Sequence, residues 1–278
     1  MAPKKAAAPS QTEQVQRDLE IAFAPKGHIT CIKYAKDEKT SKQSSSLIFT
    51  HGASGTLKAD AMANFAEGFA TTAPMLSFQG SMNLNSRVKM FEAVCEDQKA
   101  FKCLGGRSMG ARAAIMAATD ENTHLALVSY PLHNNKATRD QILLDLPADK
   151  KVIFVSGNHD NMCDLKKLED VRSKMKCKTW LCVVEGADHG MKTKPAKASK
   201  AIVLKTGEIV ARWLEDSEKF PISSTISWND ETSAVELNAP GSEDTPAAEK
   251  DAPKASRGKR KAPQEETVTK PSGRKRRK

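Results

Sequence analysis

The sequence predicts an α/β protein with a mostly parallel, doubly wound sheet. Short apolar runs alternate with segments of helical periodicity between residues 28 and 219. Strands separated by helices need crossover connections, and these make the sheet parallel. The strand runs, such as 46–52 and 151–155, are apolar almost throughout. Such runs are typical of strands buried on both faces, so the pattern indicates helices on each side of the sheet.

Each predicted element follows from its local pattern. Helices are predicted where apolar residues recur on one face, as at Met62, Phe65 and Phe69, and strands where short apolar runs end in turn residues. The predicted strands are 28–35, 46–52, 74–80, 100–106, 125–132, 151–160 and 179–190. The predicted helices are 57–73, 85–99, 109–121, 164–175 and 200–219. About 18 residues separate the strand at 125–132 from that at 151–160, which predicts little or no lid over the sheet.

The two ends of the chain differ from this pattern. Residues 1–24 and 221–278 are rich in Pro, Ser, Lys and Glu and contain few apolar residues. Such segments bury too little surface to offset their ordering entropy, so both are predicted to be disordered. The folded domain is therefore expected to span 25–220.

Charge is concentrated in the C-terminal tail. The net charge of the chain is +10, and the last 28 residues contain eleven Lys or Arg and three Asp or Glu, which leaves +8 there. The rest of the chain is nearly neutral, so the charge does not indicate a folded domain that binds nucleic acid over its whole surface.

Two basic clusters in the tail predict a bipartite nuclear-import signal, bound by an acidic import receptor. Twelve residues with two prolines and a glycine separate them. A solubilising tail and a weak, salt-sensitive hold on nucleic acid are the alternatives. The import prediction places the protein in the nucleus, with the cytoplasm left open. The clusters are Lys259, Arg260 and Lys261, and Arg274, Lys275, Arg276, Arg277 and Lys278.

Several classes of protein are not indicated. The six cysteines form no C-x-x-C pair and read as buried hydrophobes rather than as a disulfide framework or a zinc site. No apolar run approaches the roughly 20 residues that span a bilayer. The N-terminus lacks the hydrophobic core of a secretory signal. We expect neither a metal, nor a cofactor, nor a membrane partner.

The segment Gly106-Arg107-Ser108-Met109-Gly110 is a G-x-S-x-G sequence between a predicted strand and a predicted helix. This is the setting of a nucleophile elbow, in which small residues let the backbone turn sharply and expose the serine. The alternative is a serine that only serves a tight turn. A nucleophilic serine needs a base and an orienting carboxylate.

Candidate partners for Ser108 follow two later strands. His189 is the only histidine after residue 160, and Asp160 ends the strand at 151–160. Ligands bind at the carboxyl ends of such strands, which would bring the three residues together. Asp188 is disfavoured because sequence neighbours rarely face each other, and Asp164 is the fallback. The alternative to a catalytic role is that Asp160 only caps the helix that follows it.

An acyl-transfer site also needs amide donors for the developing oxyanion. The N–H groups of Met109, at the start of the helix, and of Ala53, in the loop after the strand at 46–52, are the candidates. Arg107, a bulky cation beside the serine, is expected either to bind an anionic substrate group or to mark a site no longer under catalytic demand. His51 is a candidate pocket residue, and a loop-ordering role is preferred for it over that of a second base. His133 is a pocket candidate or a surface histidine.

Five sequence blocks resemble an α/β-hydrolase-like family. They are THGASG, LGGRSMGARAA, SYPLH, VSGNHDNMC and ADHGM, and they occur in the expected order within 29–219. The family comprises testis-expressed protein thirty and the third regulatory subunit of the non-specific-lethal acetyltransferase complex. The match is closer to the testis-expressed branch, which keeps the serine elbow. The resemblance implies the α/β-hydrolase fold and carries Ser108, Asp160 and His189 over as a triad.

The sequence therefore predicts a serine hydrolase that acts on a small substrate with an ester or related acyl bond. The alternative is a non-catalytic α/β-hydrolase-fold interaction module of a nuclear complex, because the resembled family includes members that act as scaffolds. Fold does not decide between these functions.

Overall fold

The computed structural model describes residues 14–25, 27–99, 101–134 and 137–239. The short apolar runs of the sequence form the central strands, and the amphipathic segments form the helices that cover them. In chain order the elements are β1 (Val15–Phe23), β2 (Gly27–Ala35), α1 (Glu38–Ser41), β3 (Leu47–Thr50), α2 (Asp60–Ala70), β4 (Met75–Phe78), α3 (Leu84–Gln98), β5 (Cys103–Arg107), α4 (Met109–Ala117), β6 (His124–Val128), α5 (Gln141–Leu144), β7 (Lys151–Gly157), α6 (Leu165–Arg172), β8 (Lys178–Val184), α7 (Ala196–Glu215), β9 (Ser223–Asn229) and β10 (Ala234–Asn238).

One sheet contains all the strands of the described residues, in the order β1-β2-β4-β3-β5-β6-β7-β8-β9-β10. The strands from β4 to β9 in this order pair in parallel with one another. Antiparallel pairing occurs only towards the two ends of the described sheet, where β1 and β2 flank β4 and where β10 flanks β9. The predicted mostly parallel sheet is confirmed.

Successive residues of the central strands enter two separate cores, one on each face of the sheet. In β6, Leu125 and Leu127 pack with α3, α4 and α6, whereas Ala126 and Val128 pack with α2 and α7. This alternation is the two-residue period of a strand, and it explains why both kinds of position are apolar. The predicted doubly wound arrangement is therefore confirmed.

The predicted domain limits are wrong at both ends. β1 lies in the segment 1–24 that was expected to be disordered, and β9 and β10 lie beyond residue 220. These strands are polar and exposed on one face, so their sequences lack the continuous apolar runs of the central strands. The structural description ends at residue 239, so the basic clusters of the predicted import signal lie outside the described residues.

The connection between β6 and β7 contains α5, of four residues, in its described part. This agrees with the expected small lid. In the part of the chain that the structure describes, no helix is both long and apolar enough to cross a membrane.

Candidate functional site

Ser108 stands between β5 and α4 in a strained turn. Its backbone has φ 51° and ψ −113°, a region that L-residues rarely adopt and that costs about 1–3 kcal/mol. The flanking glycines allow the turn to be tight. A Cβ on Gly106 would overlap the backbone of Gly110, and a Cβ on Gly110 would lie 2.6 Å from the carbonyl oxygen of Thr50. The strand–turn–helix setting predicted around Ser108 is thus present.

Asp160, His189 and Ser108 form a continuous hydrogen-bonded chain. His189 Nδ1 lies 2.9 Å from both carboxylate oxygens of Asp160, and His189 Nε2 lies 2.9 Å from Ser108 Oγ. An ionised carboxylate only accepts hydrogen bonds, so Nδ1 carries the proton and Nε2 is left to accept from the serine hydroxyl. The arrangement can therefore move a proton from Ser108 to His189.

The carboxyl ends of parallel strands bring these residues together. Ser108 follows β5, Asp160 follows β7 and His189 follows β8, and the last two strands pair directly. The side chain of Asp160 is fully buried, and Asp160 Oδ1 also accepts from the N–H of Met162 at 2.8 Å. His189 remains 24% exposed. The ring can therefore meet a substrate while the carboxylate behind it is shielded from water.

The two other aspartates considered from sequence serve local turns. Asp164 caps α6 by accepting from the N–H of Lys167 at 2.9 Å. Asp188 Oδ1 accepts from the N–H groups of Gly190 and Lys192. Neither carboxylate is hydrogen-bonded to His189 in the described structure, so Asp160 alone occupies the position expected of the orienting acid.

Both predicted amide donors lie around Ser108. Met109 N–H is at the first position of α4, where backbone donors have no helical partner. The loop of residues 51–55 follows β3, the neighbour of β5, and a Cβ on Gly52 would lie 3.4 Å from the Cβ of Ser108. Among the described residues, neither Met109 N–H nor Ala53 N–H has a protein acceptor. Both amides therefore have an unused donor within the described protein.

His51 holds the loop of residues 51–55 rather than lining an open pocket. The residue is buried, and its Nε2 accepts from the N–H of Gly80 at 3.0 Å. Nδ1 therefore carries the proton and donates to the carbonyl of Gly52 at 2.6 Å. Burial lowers the pKa of His51, the hydrogen bond to Gly52 opposes this effect, and nearby Arg87 reinforces it. The loop-ordering role preferred from sequence agrees with this placement.

Arg107 reaches the histidine loop. Its Nη2 donates to the backbone carbonyl of His189 at 2.9 Å, and its Nε is buried with no protein acceptor among the described residues. Burial lowers the pKa of Arg107, and the charges of Asp160 and Asp188 oppose that effect. The guanidinium therefore braces the backbone that carries His189, a contact that sequence reasoning did not anticipate.

His133 lies close to Asp164 and shares a cavity with Asp160. Its Nε2 accepts from the N–H of Asp164 at 3.1 Å, and it lines a cavity of about 430 Å³ together with Asp160. No group of three or more His, Cys, Asp or Glu side chains within the described ranges is arranged to hold a metal ion.

Arg87 is a component of the site region that sequence reasoning missed. It is fully buried on α3, and its guanidinium donates to carbonyls of the loop that contains Ala53. Its burial could have been predicted from helical spacing. Arg87 precedes Phe91 by four residues and Val94 by seven, so it lies on the same buried face of α3.

Known proteins share this architecture. Residues 81–212 match the model of a family described as alpha/beta hydrolase domain. The esterase domain of a Rhodothermus marinus protein superposes with a TM-score of 0.55 at 12% identity, over 72% of this chain and 97% of that one. An alpha-beta serine hydrolase homologue from Coxiella burnetii gives 0.55 at 17% identity, over 70% and 96%.

A third similar structure is alpha/beta hydrolase domain-containing protein 10 from mouse, with a TM-score of 0.53 at 12% identity, over 71% of this chain and 99% of that one. Similarity at such low identity concerns the fold alone. The chain has the α/β-hydrolase fold, as the sequence predicted.

Proposed function

We propose that this α/β-hydrolase-fold protein is a serine hydrolase that cleaves an ester or a related acyl bond. The nucleophile would be Ser108, the general base His189, and the carboxylate that orients the base Asp160. The observation that carries the proposal is the hydrogen-bonded chain from Asp160 through His189 to the Ser108 hydroxyl. The fold alone supports many functions, so the proposal depends on this site.

The geometry supports a two-step acyl transfer. Ser108 Oγ attacks the acyl carbon while His189 Nε2 accepts the hydroxyl proton. The oxyanion that forms accepts hydrogen bonds from the N–H groups of Met109 and Ala53. The bond to the alcohol then breaks, and His189 returns the proton to the departing oxygen. A water, deprotonated by the same nitrogen, attacks the acyl-serine, releases the acid and restores Ser108.

Two further observations support this proposal. The strained backbone at Ser108 is a feature that clusters at functional sites, because ordinary turns avoid its energetic cost. The five sequence blocks also resemble the testis-expressed branch of the hydrolase-like family, and that branch keeps the serine elbow.

Labelling with a fluorophosphonate probe tests the proposal. The folded protein is expected to gain the mass of one probe adduct, located on the peptide that contains Ser108, because the probe captures serines activated by a neighbouring base. Heat-unfolded protein serves as the control and should not react. A folded protein that neither gains an adduct nor hydrolyses short-chain acyl esters would contradict the proposal and favour the interaction-module alternative.

Arg107→Ala gives a second expected result. Because Nη2 of Arg107 holds the carbonyl of His189, its removal should lower kcat/KM for neutral and acidic esters by the same factor. We expect roughly 10-fold, about the contribution of one charge-assisted hydrogen bond. Steady-state kinetics on a matched ester pair, with and without a carboxylate, measures this. A loss confined to the acidic ester would instead support the anion-binding role predicted from sequence.

A further inference from the structure

We infer that Arg87 is a positioning residue for the proposed oxyanion site. Its buried guanidinium fixes the peptide between Gly52 and Ala53 so that the Ala53 N–H is available to an oxyanion at Ser108. This inference rests on the proposed function, because an oxyanion forms only if Ser108 attacks an acyl carbon.

The guanidinium of Arg87 binds backbone carbonyls of two loops. Nη1 donates to the carbonyl of His51 and, at 3.2 Å, to that of Gly52. Nε donates to the carbonyl of Ser81 at 2.8 Å. Arg87 therefore joins the loop after β3 to the loop after β4, and the first of these loops contacts Ser108.

Burying the charged side chain of Arg87 is energetically unfavourable. It has no exposed surface, and no carboxylate of the described residues lies within ion-pair distance of it. Burial lowers its pKa to about 10, which still leaves it charged at neutral pH. Buried cations without an opposite charge destabilise folds, and an apolar side chain could pack beside Phe91 instead. The favourable effect of Arg87 therefore lies in the loop that it holds.

The carbonyl of Gly52 is held by three donors. These are Arg87 Nη1, His51 Nδ1 at 2.6 Å and the N–H of Gly55 at 3.3 Å. The peptide that follows Gly52 is trans, so its N–H, which belongs to Ala53, points opposite to that carbonyl. The Ala53 N–H is thereby turned away from Arg87.

The same peptide lies against the nucleophile. A Cβ on Gly52 would be 3.4 Å from that of Ser108, and the Ala53 N–H has no acceptor within the described protein. A cation on the carbonyl side of an amide also polarises the amide, which strengthens its N–H as a donor. Arg87 thus both orients and strengthens the donor that the oxyanion would meet.

Arg87→Met and Arg87→Lys test this role. We expect kcat for a short-chain ester to fall roughly 10- to 100-fold in Arg87→Met, which is less than the loss of an oxyanion donor outright. KM should change by less than about twofold, since a ground-state carbonyl gains little from the site. Arg87→Lys keeps the cation and one donor and should recover part of kcat.

A transition-state mimic separates this role from packing. An alkyl trifluoromethyl ketone forms a hemiketal with an active serine, and the hemiketal carries an oxyanion. Its affinity should fall by the same factor as kcat in each Arg87 variant, because both report the same hydrogen bonds.

Arg172→Met is the matched control. Arg172 is also a buried arginine, and its Nη2 donates to the carbonyl of Thr179 at 3.3 Å, at the start of β8 and so at the opposite end of the strands from Ser108. The control should lose thermal stability while kcat and ketone affinity stay unchanged.

Gly80→Ala provides a variant that keeps Arg87. An added Cβ would lie 2.5 Å from Arg87 Nε and 2.9 Å from Thr50 Oγ1, so the guanidinium, which it crowds most, must shift. We expect a smaller fall in kcat and in ketone affinity, with KM again nearly constant. This variant decides the question if Arg87→Met does not fold.

The outcomes separate the inference from the proposed function. If the wild-type protein hydrolyses esters and folded Arg87 and Gly80 variants keep wild-type kcat and ketone affinity, the inference is overturned and the proposed function stands. A rise in KM with kcat unchanged overturns it as well. If the wild-type protein neither reacts with the ketone nor hydrolyses esters, the proposed function fails first.

Discussion

Ser108→Ala is expected to abolish probe labelling and to lower kcat by roughly 10⁴- to 10⁶-fold, the range seen when a nucleophilic serine is removed from a triad. The reason is chemical: alanine has no oxygen to attack the acyl carbon, although the amides of Met109 and Ala53 remain. The fold should persist, because the change removes one hydrogen bond, to His189, worth about 1 kcal/mol. Intact-mass labelling, ester kinetics and thermal unfolding measure the three quantities.

Ser129→Ala is a closely matched control for this substitution. Ser129 is also a serine with positive φ, 47°, directly after a strand, and it is buried with its hydroxyl unpartnered in the described structure. Its substitution should leave labelling and kcat unchanged. If Ser108→Ala retained hydrolysis at the level of Ser129→Ala, the nucleophile would have to be another residue.

Asp160→Asn is expected to lower kcat by roughly 10⁴-fold at neutral pH, as for the equivalent change in a serine protease triad. The carboxylate accepts from His189 Nδ1 through both of its oxygens, whereas an amide presents one acceptor and one donor. The amide donor can pair with an unprotonated Nδ1, which moves the histidine proton to Nε2 and blocks acceptance from Ser108. Initial-rate kinetics and NMR of the histidine tautomer measure the two effects.

Asp164→Asn tests the fallback acid under the same conditions. Asp164 caps α6, and asparagine caps helices as well as aspartate, so neither stability nor kcat should change appreciably. If Asp164→Asn lost as much activity as Asp160→Asn, the position of Asp160 beside His189 would not explain the loss in Asp160→Asn.

The interior of the fold could be predicted from sequence, and its edges could not. Strands such as β6 and β7 are buried on both faces, so their apolar runs identify them directly. β1, with the sequence VQRDLEIAF, interrupts its apolar residues with four polar ones and is largely exposed, and β9 and β10 are also polar and exposed on one face. Such strands have no continuous apolar run, and strand preference depends on the neighbours against which a strand packs, so their local pattern is a weak signal.

The chain order of Ser108, Asp160 and His189 was sufficient to predict that they would meet, because parallel strands place their carboxyl ends together. The roles of Arg87 and Arg107 were not predictable in the same way. Both donate to backbone carbonyls of loops far away in sequence. An arginine that binds the main chain leaves no complementary side chain in the sequence, so only the folded structure reveals the contact.

The hairpin of β9 and β10 has a consequence for His189. Without it, β8 would be the outermost strand of the described sheet, with one row of its backbone groups unpaired. Instead, Leu181 N–H donates to the carbonyl of Ile222 and Glu185 N–H to that of Ile226. Sheets open locally from their edges, at lower free energy than in their interior. Fraying that begins at β10 must therefore detach two strands before it loosens the strand that positions His189.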